Sequence, residues 1–422
     1  MGQLPFRQIH LDFHTSEHIG GIGEDFDARQ FVNTLKAAHV NSINLFAKCH
    51  HGWMYYDSAK YRKHPSLKTG LLEKQVEACH AEGIPAPIYL SVCFDELSAR
   101  EHPEWLERRP TGAPWGAPPL LPGWKKLCLN SPYVDYFEDQ VLDLLDTFNN
   151  KVDGVWMDIV LQQDCCCNFC LERMLREGLD PEKDEDRWNL ANRVILEFKK
   201  RLTGSIRQRS SDCQIFYNAG HVGPYIRSSL DCYTHLELES LPSLRDGWGY
   251  EHFPITARFA KNLGKEYIGM TGKFHRTWGD FGGFKNQAAL EYECFATVSM
   301  GAKCCIGDQL HPSGRICQAT YELIGSIYSR IEQMEPWLID ARPMADIAVF
   351  TSESPTGTQH SGLNPPIRGA YRMLEELHAC FDVVDDESPL GSYRLLILPD
   401  VITLDDARKK KIENFISGGG KV

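Results

Sequence analysis

From residue 8 to about 340, short apolar runs alternate with longer stretches whose apolar residues recur at three- and four-residue spacing. The runs predict strands at 8–14 (QIHLDFH), 41–49 (NSINLFAKC), 86–93 (APIYLSVC), 152–160 (VDGVWMDIV), 214–220 (QIFYNAG), 234–240 (THLELES), 266–272 (EYIGMTG) and 303–309 (KCCIGDQ). Segments such as DARQFVNTLKAAH, GLLEKQVEACHAEG and AALEYECFATVSMGA read as amphipathic helices between them. Eight strand–helix units over this length match a (β/α)8 TIM barrel with enlarged loops better than an open doubly wound sheet. The sixth strand stands only about a dozen residues after the fifth. A long segment, 94–132, is rich in Pro, Gly and Trp. It predicts a lid or aromatic wall on the active face, with aromatic loop-packing anchors as the equal alternative.

After Trp337 a second pattern begins. ADIAVFTSE, FDVVDD and YRLLILPDV read as strands, IRGAYRMLEELHAC and DDARKKKIENFISGGG as helices. This is a flavodoxin-like α/β arrangement. Two domains are therefore expected, 1–342 and 343–422, the second incomplete because a strand should start where the sequence stops, at Lys421-Val422.

The chain has 422 residues, 42% hydrophobic and 24% charged, with a formal net charge of −12. An acidic balance argues against a nucleic-acid or anionic-membrane partner. No apolar run is long enough to span a bilayer, and the N-terminus has no basic or apolar leader region. Fifteen cysteines, an odd number, several inside apolar strands, read as reduced thiols of a cytoplasmic protein.

Carboxylates, imidazoles and ammonium groups stand at the ends of the apolar runs. Trp156 and Asp158 close the fourth strand, where an acid is costly unless paired or used. At the carboxyl end of a barrel strand, catalysis accounts for it, and a helix cap or ion pair is the plainer alternative. The second strand ends in Lys48, His50 and His51, followed by Trp53, a set suited to hydroxyl recognition. His10, Asp12 and His14 share a face of strand one. Glu237 and Glu239 share a face of strand six, with Glu239 nearer the mouth. Asn218 ends strand five, Lys273, His275 and Trp278 follow strand seven, and Asp308 and His311 come from strand eight. Paired carboxylates with aromatic and histidine neighbours describe a glycosidase; a retaining enzyme sets them about 5–5.5 Å apart, one attacking and one donating a proton.

FAKCHHGW resembles the AKHHDGF motif of glycoside hydrolase family 29 α-L-fucosidases, and DGVWMD resembles the strand carrying their nucleophilic aspartate. That resemblance implies Asp158 as nucleophile, His50 and His51 as sugar ligands, and His14 as the histidine ending the first strand. The motif's aspartate is missing, since Gly52 follows His51 directly. RQIHLDFHTSE, FAKCHHGW, HPEW, GDQLHPSGR and the 345–422 segment make the whole chain similar to family 151 α-L-fucosidases, which join such a barrel to a domain like the trimerisation domain of family 42 β-galactosidases. The resemblance implies an exo-acting enzyme on a small oligosaccharide or glycoside, and a homo-oligomer, trimer favoured. The acid/base does not carry over, and strand geometry selects Glu239, with Glu237 second. Catalysis would require no cofactor. Cys165, Cys167 and Cys170 are spaced C-x-C-x-x-C, similar to a zinc-holding cluster of family 42 enzymes, with Cys128 or Cys166 as the fourth ligand. Structural Zn2+ stands against a simple packing of reduced thiols. Three other readings stay open: another exo-glycosidase such as a galactosidase, a metal-dependent amidohydrolase-type enzyme built on His10-x-Asp12-x-His14, and a sugar-binding protein without activity.

Overall fold

The computed structural model describes residues 4–118, 120–243, 248–354 and 363–422. In chain order its elements are β1 (Arg7–Asp12), α1 (Ala28–Ala37), β2 (Ser42–Lys48), α2 (Leu71–Ala81), β3 (Ile88–Ser91), α3 (Glu96–Glu101), α4 (Tyr133–Thr147), β4 (Gly154–Asp158), α5 (Asn168–Glu177), α6 (Asp184–Arg209) and β5 (Gln214–Tyr217). Then follow β6 (Leu236–Glu239), α7 (Gly249–Ala260), β7 (Tyr267–Gly272), α8 (Gln287–Ser299), β8 (Lys303–Gln309), α9 (Gln318–Leu338), β9 (Ile347–Phe350), α10 (Pro365–Glu376), β10 (Phe381–Val384), β11 (Leu395–Ile397) and α11 (Asp406–Ser417).

All eight strands predicted for the first domain are present, in one sheet ordered β5-β4-β3-β2-β1-β8-β7-β6. This is the (β/α)8 TIM-barrel order. Every residue of β1, β2, β3, β4 and β7 is buried, as expected for parallel strands covered on both faces. A 3-10 segment, Pro224–Cys232, stands between β5 and β6; the short spacing leaves no length for a full crossover helix. The second sheet, ordered β10-β9-β11, is parallel throughout, as a flavodoxin-like arrangement requires. Its core is Ala348, Phe350, Val384, Leu390, Leu396, Ile412 and Phe415. Lys421 makes an isolated parallel bridge with Leu395.

Packing divides the chain differently from the 342/343 boundary. One compact unit comprises 1–219, 228–235 and 305–332, and the other 220–227, 236–304 and 333–422. The second unit thus joins β6, β7, α7 and α8 to the C-terminal module. Ion pairs explain the grouping: Arg227 holds Asp385, Arg258 holds Glu375, Lys261 holds Asp382, and Glu251 receives Arg368 and Arg372.

Candidate active site

In the first unit, the inward faces of β1 to β4 build one stack of rings. Tyr89 of β3 lies flat on Phe46 of β2, centroids 3.7 Å apart, and stacks on Trp156 of β4 at 5.4 Å. His10 packs edge-on against Phe46, Tyr89 and Trp156. Asp158 ends β4 within this frame, 9% exposed. Tyr89 Oη donates to its Oδ2 at 2.6 Å, and Asn218 Nδ2 donates to Oδ1 at 2.9 Å. Burial raises the Asp158 carboxyl above its ordinary value, and these two donors and nearby His10 oppose the rise. Both oxygens are thus aimed by rigid neighbours.

The backbone turns sharply just after this carboxylate. Ile159 has φ 54°, a left-handed conformation that a β-branched residue adopts only under strain. The surrounding ladder imposes it: Asp158 O, Ile159 O and Asn218 O accept from the amides of Val92, Cys93 and Val160. Backbone strain of this kind clusters at functional positions.

Histidines form a second cluster. His14 Nε2 lies 3.1 Å from Asp12 Oδ1. Burial opposes a charge on His14, but Asp12 outweighs it and raises the imidazole to about 10, so the ring is a cation at neutral pH. His50, its ring centroid 4.2 Å from His14, is held well below its ordinary value by burial and by the His14 charge, and is neutral. Its tautomer follows from its neighbours. Ser91 Oγ donates to Phe94 O at 2.6 Å, so it accepts from His50 Nδ1 at 2.6 Å, leaving Nε2 as an acceptor. Burial lowers His51 to about 4. Trp124, from the long loop, stands against all three rings at 6.4, 5.1 and 4.7 Å. Trp124 of the long loop thus lies over the histidine cluster. Gly52 has φ +89°, and a Cβ there would meet Asp95 Oδ1 at 2.3 Å, which accounts for a glycine directly after His51.

Other sequence candidates lie elsewhere. Lys48 does not join the histidines. A register irregularity between Phe46 and Lys48 turns its side chain to the helix side. There its ammonium donates to Asp95 (2.9 Å), Gln140 (2.9 Å) and the Tyr133 hydroxyl (3.4 Å), fully buried. Its assignment to sugar hydroxyls is corrected to a buried ion pair. Asp308 is corrected likewise: strand alternation puts it with Cys304 and Ile306, and it acts on the Tyr321 phenol of α9, which burial and the Asp308 charge raise well above its ordinary value. Trp53 packs as a loop anchor, with Arg62 over its ring and Glu17 accepting from its indole at 3.4 Å. Asn218 bonds the Asp158 carboxylate itself. In the second unit Glu237 is buried, Glu239 is half-buried, Lys273 lies 4.7 Å from the Phe284 ring, Trp278 packs on Phe274 and His275 is exposed. His311 is exposed, its ring bonded to Ser313. Tyr89 was missed from sequence, although a tyrosine inside a buried strand calls for an acceptor.

The cysteine cluster gains its fourth member. Cys128, Cys165, Cys167 and Cys170 are buried, with their sulfurs all within 4.8 Å of one another. Around a tetrahedral Zn2+ with bonds of about 2.3 Å, sulfurs stand about 3.8 Å apart; Cys128 and Cys170 are 3.5 Å apart. Amide hydrogens of Arg108, Asn130 and Cys167 and the Gln162 side chain point at these sulfurs at 3.3–3.4 Å. Hydrogen bonds from the other three thiols lower the Cys167 thiol below its ordinary value. These residues fit a zinc ion. His10 Nδ1, by contrast, is engaged by Asn44 at 3.0 Å, and among the described residues the four cysteines are the one metal-compatible group.

Residues 27–159 match the family model described as hypothetical glycosyl hydrolase 6, and residues 350–422 match the β-galactosidase trimerisation domain. The chain is similar to a solved α-L-fucosidase. It is 44% identical to α-L-fucosidase isoenzyme 2 from Paenibacillus thiaminolyticus, with a TM-score of 0.94, covering 99% of this chain and 64% of that one. A GH42 β-galactosidase from G. stearothermophilus matches at 11% identity and TM-score 0.75, over 98% of this chain and 70% of that one. The β-galactosidase from Bacillus circulans sp. alkalophilus matches at 14% and 0.71, over 98% and 70%. At those identities the β-galactosidases share the fold alone. No curated protein matches the chain.

Proposed function

We propose that this chain carries the activity of an exo-acting, retaining α-L-fucosidase, with Asp158 as its nucleophile. The observation that carries the reading is the buried, doubly hydrogen-bonded Asp158 in a chain 44% identical, along 99% of its length, to an α-L-fucosidase. In the first step an Asp158 oxygen bonds to the anomeric carbon as the glycosidic bond breaks, and Glu239, at the carboxyl end of β6, gives its proton to the leaving oxygen. In the second, Glu239 takes a proton from water, which displaces Asp158 and releases the sugar. The His50 Nε2 lone pair, the His14 cation and the indole nitrogen of Trp156, which is buried without a hydrogen-bond acceptor, supply complementary groups for sugar hydroxyls. Asp158→Ala should lower kcat by several orders of magnitude with the fold intact, and azide should restore turnover as a fucosyl azide. Loss of less than about tenfold would refute the assignment.

Zinc bound by Cys128, Cys165, Cys167 and Cys170 would tie the segment before α4 to α5, stabilising the unit with no part in the reaction. The match of residues 350–422 to a trimerisation domain supports a homotrimer, testable by sedimentation of the full-length protein. Fifteen free thiols fit a cytoplasmic enzyme.

A further inference from the structure

Four polar side chains of the second unit form a continuous buried chain that the glycosidase reading leaves unused. Glu353, just after β9, accepts from His221 Nε2 at 2.8 Å. His221 Nδ1 lies 3.0 Å from His252 Nε2, on α7, and His252 Nδ1 lies 2.5 Å from Ser240 Oγ, directly after β6. His221, His252 and Ser240 are 7%, 5% and 3% exposed. Trp248 packs against His252 at 4.6 Å, and the Tyr225 hydroxyl donates to the His221 carbonyl. A Cβ on Gly223 would meet Glu353 Oε2 at 2.4 Å and His221 Nε2 at 3.1 Å, so a glycine admits the Glu353–His221 contact.

A carboxylate only accepts, so His221 presents Nε2–H to Glu353. One proton then lies between His221 Nδ1 and His252 Nε2, and one between His252 Nδ1 and Ser240 Oγ, so each link of the chain is a hydrogen bond. Burial and the neighbouring His221 hold His252 well below its ordinary value.

Strand alternation puts Ser240 on the face opposite Glu237 and Glu239, against the helices. Its amide donates to Met270 O of β7 at 2.8 Å. Ser240 is therefore fixed through both backbone and side chain, one peptide bond from Glu239. We propose that Glu353, supplied by the C-terminal module, is a positioning residue for the acid/base end of β6, acting through His221, His252 and Ser240. This rests on Glu239 being the acid/base. The module is then part of the catalytic apparatus as well as an assembly element.

The test is kinetic, in the full-length protein, with an alkyl fucoside as the poor leaving group and a nitrophenyl fucoside as the good one. Glu353→Gln keeps size and removes charge, Ser240→Ala removes the hydroxyl, and Ser240→Thr retains it. Displacing an acid by a fraction of an ångström costs turnover, so Glu353→Gln and Ser240→Ala should each lower kcat for the alkyl fucoside by about tenfold or more. KM should stay within about twofold, the nitrophenyl fucoside should be far less affected, and Ser240→Thr should restore the alkyl activity. Imidazole proton resonances shifted downfield in the parent protein should be lost in Glu353→Gln. Unchanged alkyl-fucoside kcat in Glu353→Gln and Ser240→Ala, whatever happens to thermal stability, would overturn the inference, as would equal losses on both substrates. Glu239→Gln, run in parallel, separates the two readings. If it lacks leaving-group selectivity, the acid/base assignment fails and this inference falls with it. If it shows selectivity and the chain variants do not, this inference alone fails.

Discussion

Tyr89→Phe removes one oxygen and leaves the ring stack on Phe46 and Trp156 in place, so it isolates a single interaction with Asp158. The bond is short, 2.6 Å, in the range of a hydroxyl donating to a carboxylate. Burial keeps the Tyr89 phenol well above its ordinary value, so it is a donor throughout the working pH range. A hydrogen bond to a charged group contributes about 1.5–3 kcal/mol. At about 1.36 kcal/mol per pKa unit, its loss should raise the Asp158 carboxyl by about one to two units. An Asp158 that acts as nucleophile must be ionised, so the acid limb of kcat/KM should move up by that amount while the basic limb stays. The measurement is a kcat/KM profile across pH with a nitrophenyl fucoside, where the limbs report the free enzyme. An acid limb that stays in place or moves down would show that Tyr89 does not hold the nucleophile ionised.

Asp158→Asn should be more thermally stable than the parent at neutral pH. A buried carboxyl raised above its unfolded value contributes stability below the unfolded pKa and loses it as pH rises through the folded pKa. The gain should therefore shrink as pH falls toward the ordinary carboxylate range, and a pH-independent difference in Tm would contradict this. Lys48→Met leaves Asp95 buried without its cation and should destabilise the fold by about 3–5 kcal/mol in denaturant unfolding. A raised KM with unchanged stability would instead return Lys48 to the sugar. Metal analysis should find one zinc per chain, and chelation or Cys167→Ser should lower Tm; a metal-free protein of full stability would refute the site.

The sequence by itself determined the element list and the chemistry of the strand ends. Strands buried on both faces read as continuous apolar runs, so an interruption such as Asp158 shows without coordinates. Family-like motifs placed His14, His50 and His51 together, and the spacing of Cys165, Cys167 and Cys170 exposed three of four thiols. What only tertiary structure decided is which way a side chain points and what meets it from far along the chain. A one-residue irregularity in β2 sends Lys48 to the helices, and strand parity does the same to Asp308; neither changes the local hydrophobic pattern. Tyr89 reaches Asp158 across 69 residues, Cys128 joins Cys170 across 42, and Glu353 reaches His221 across 132. Such contacts depend on register and packing between distant elements, and periodicity along a strand carries no information about either.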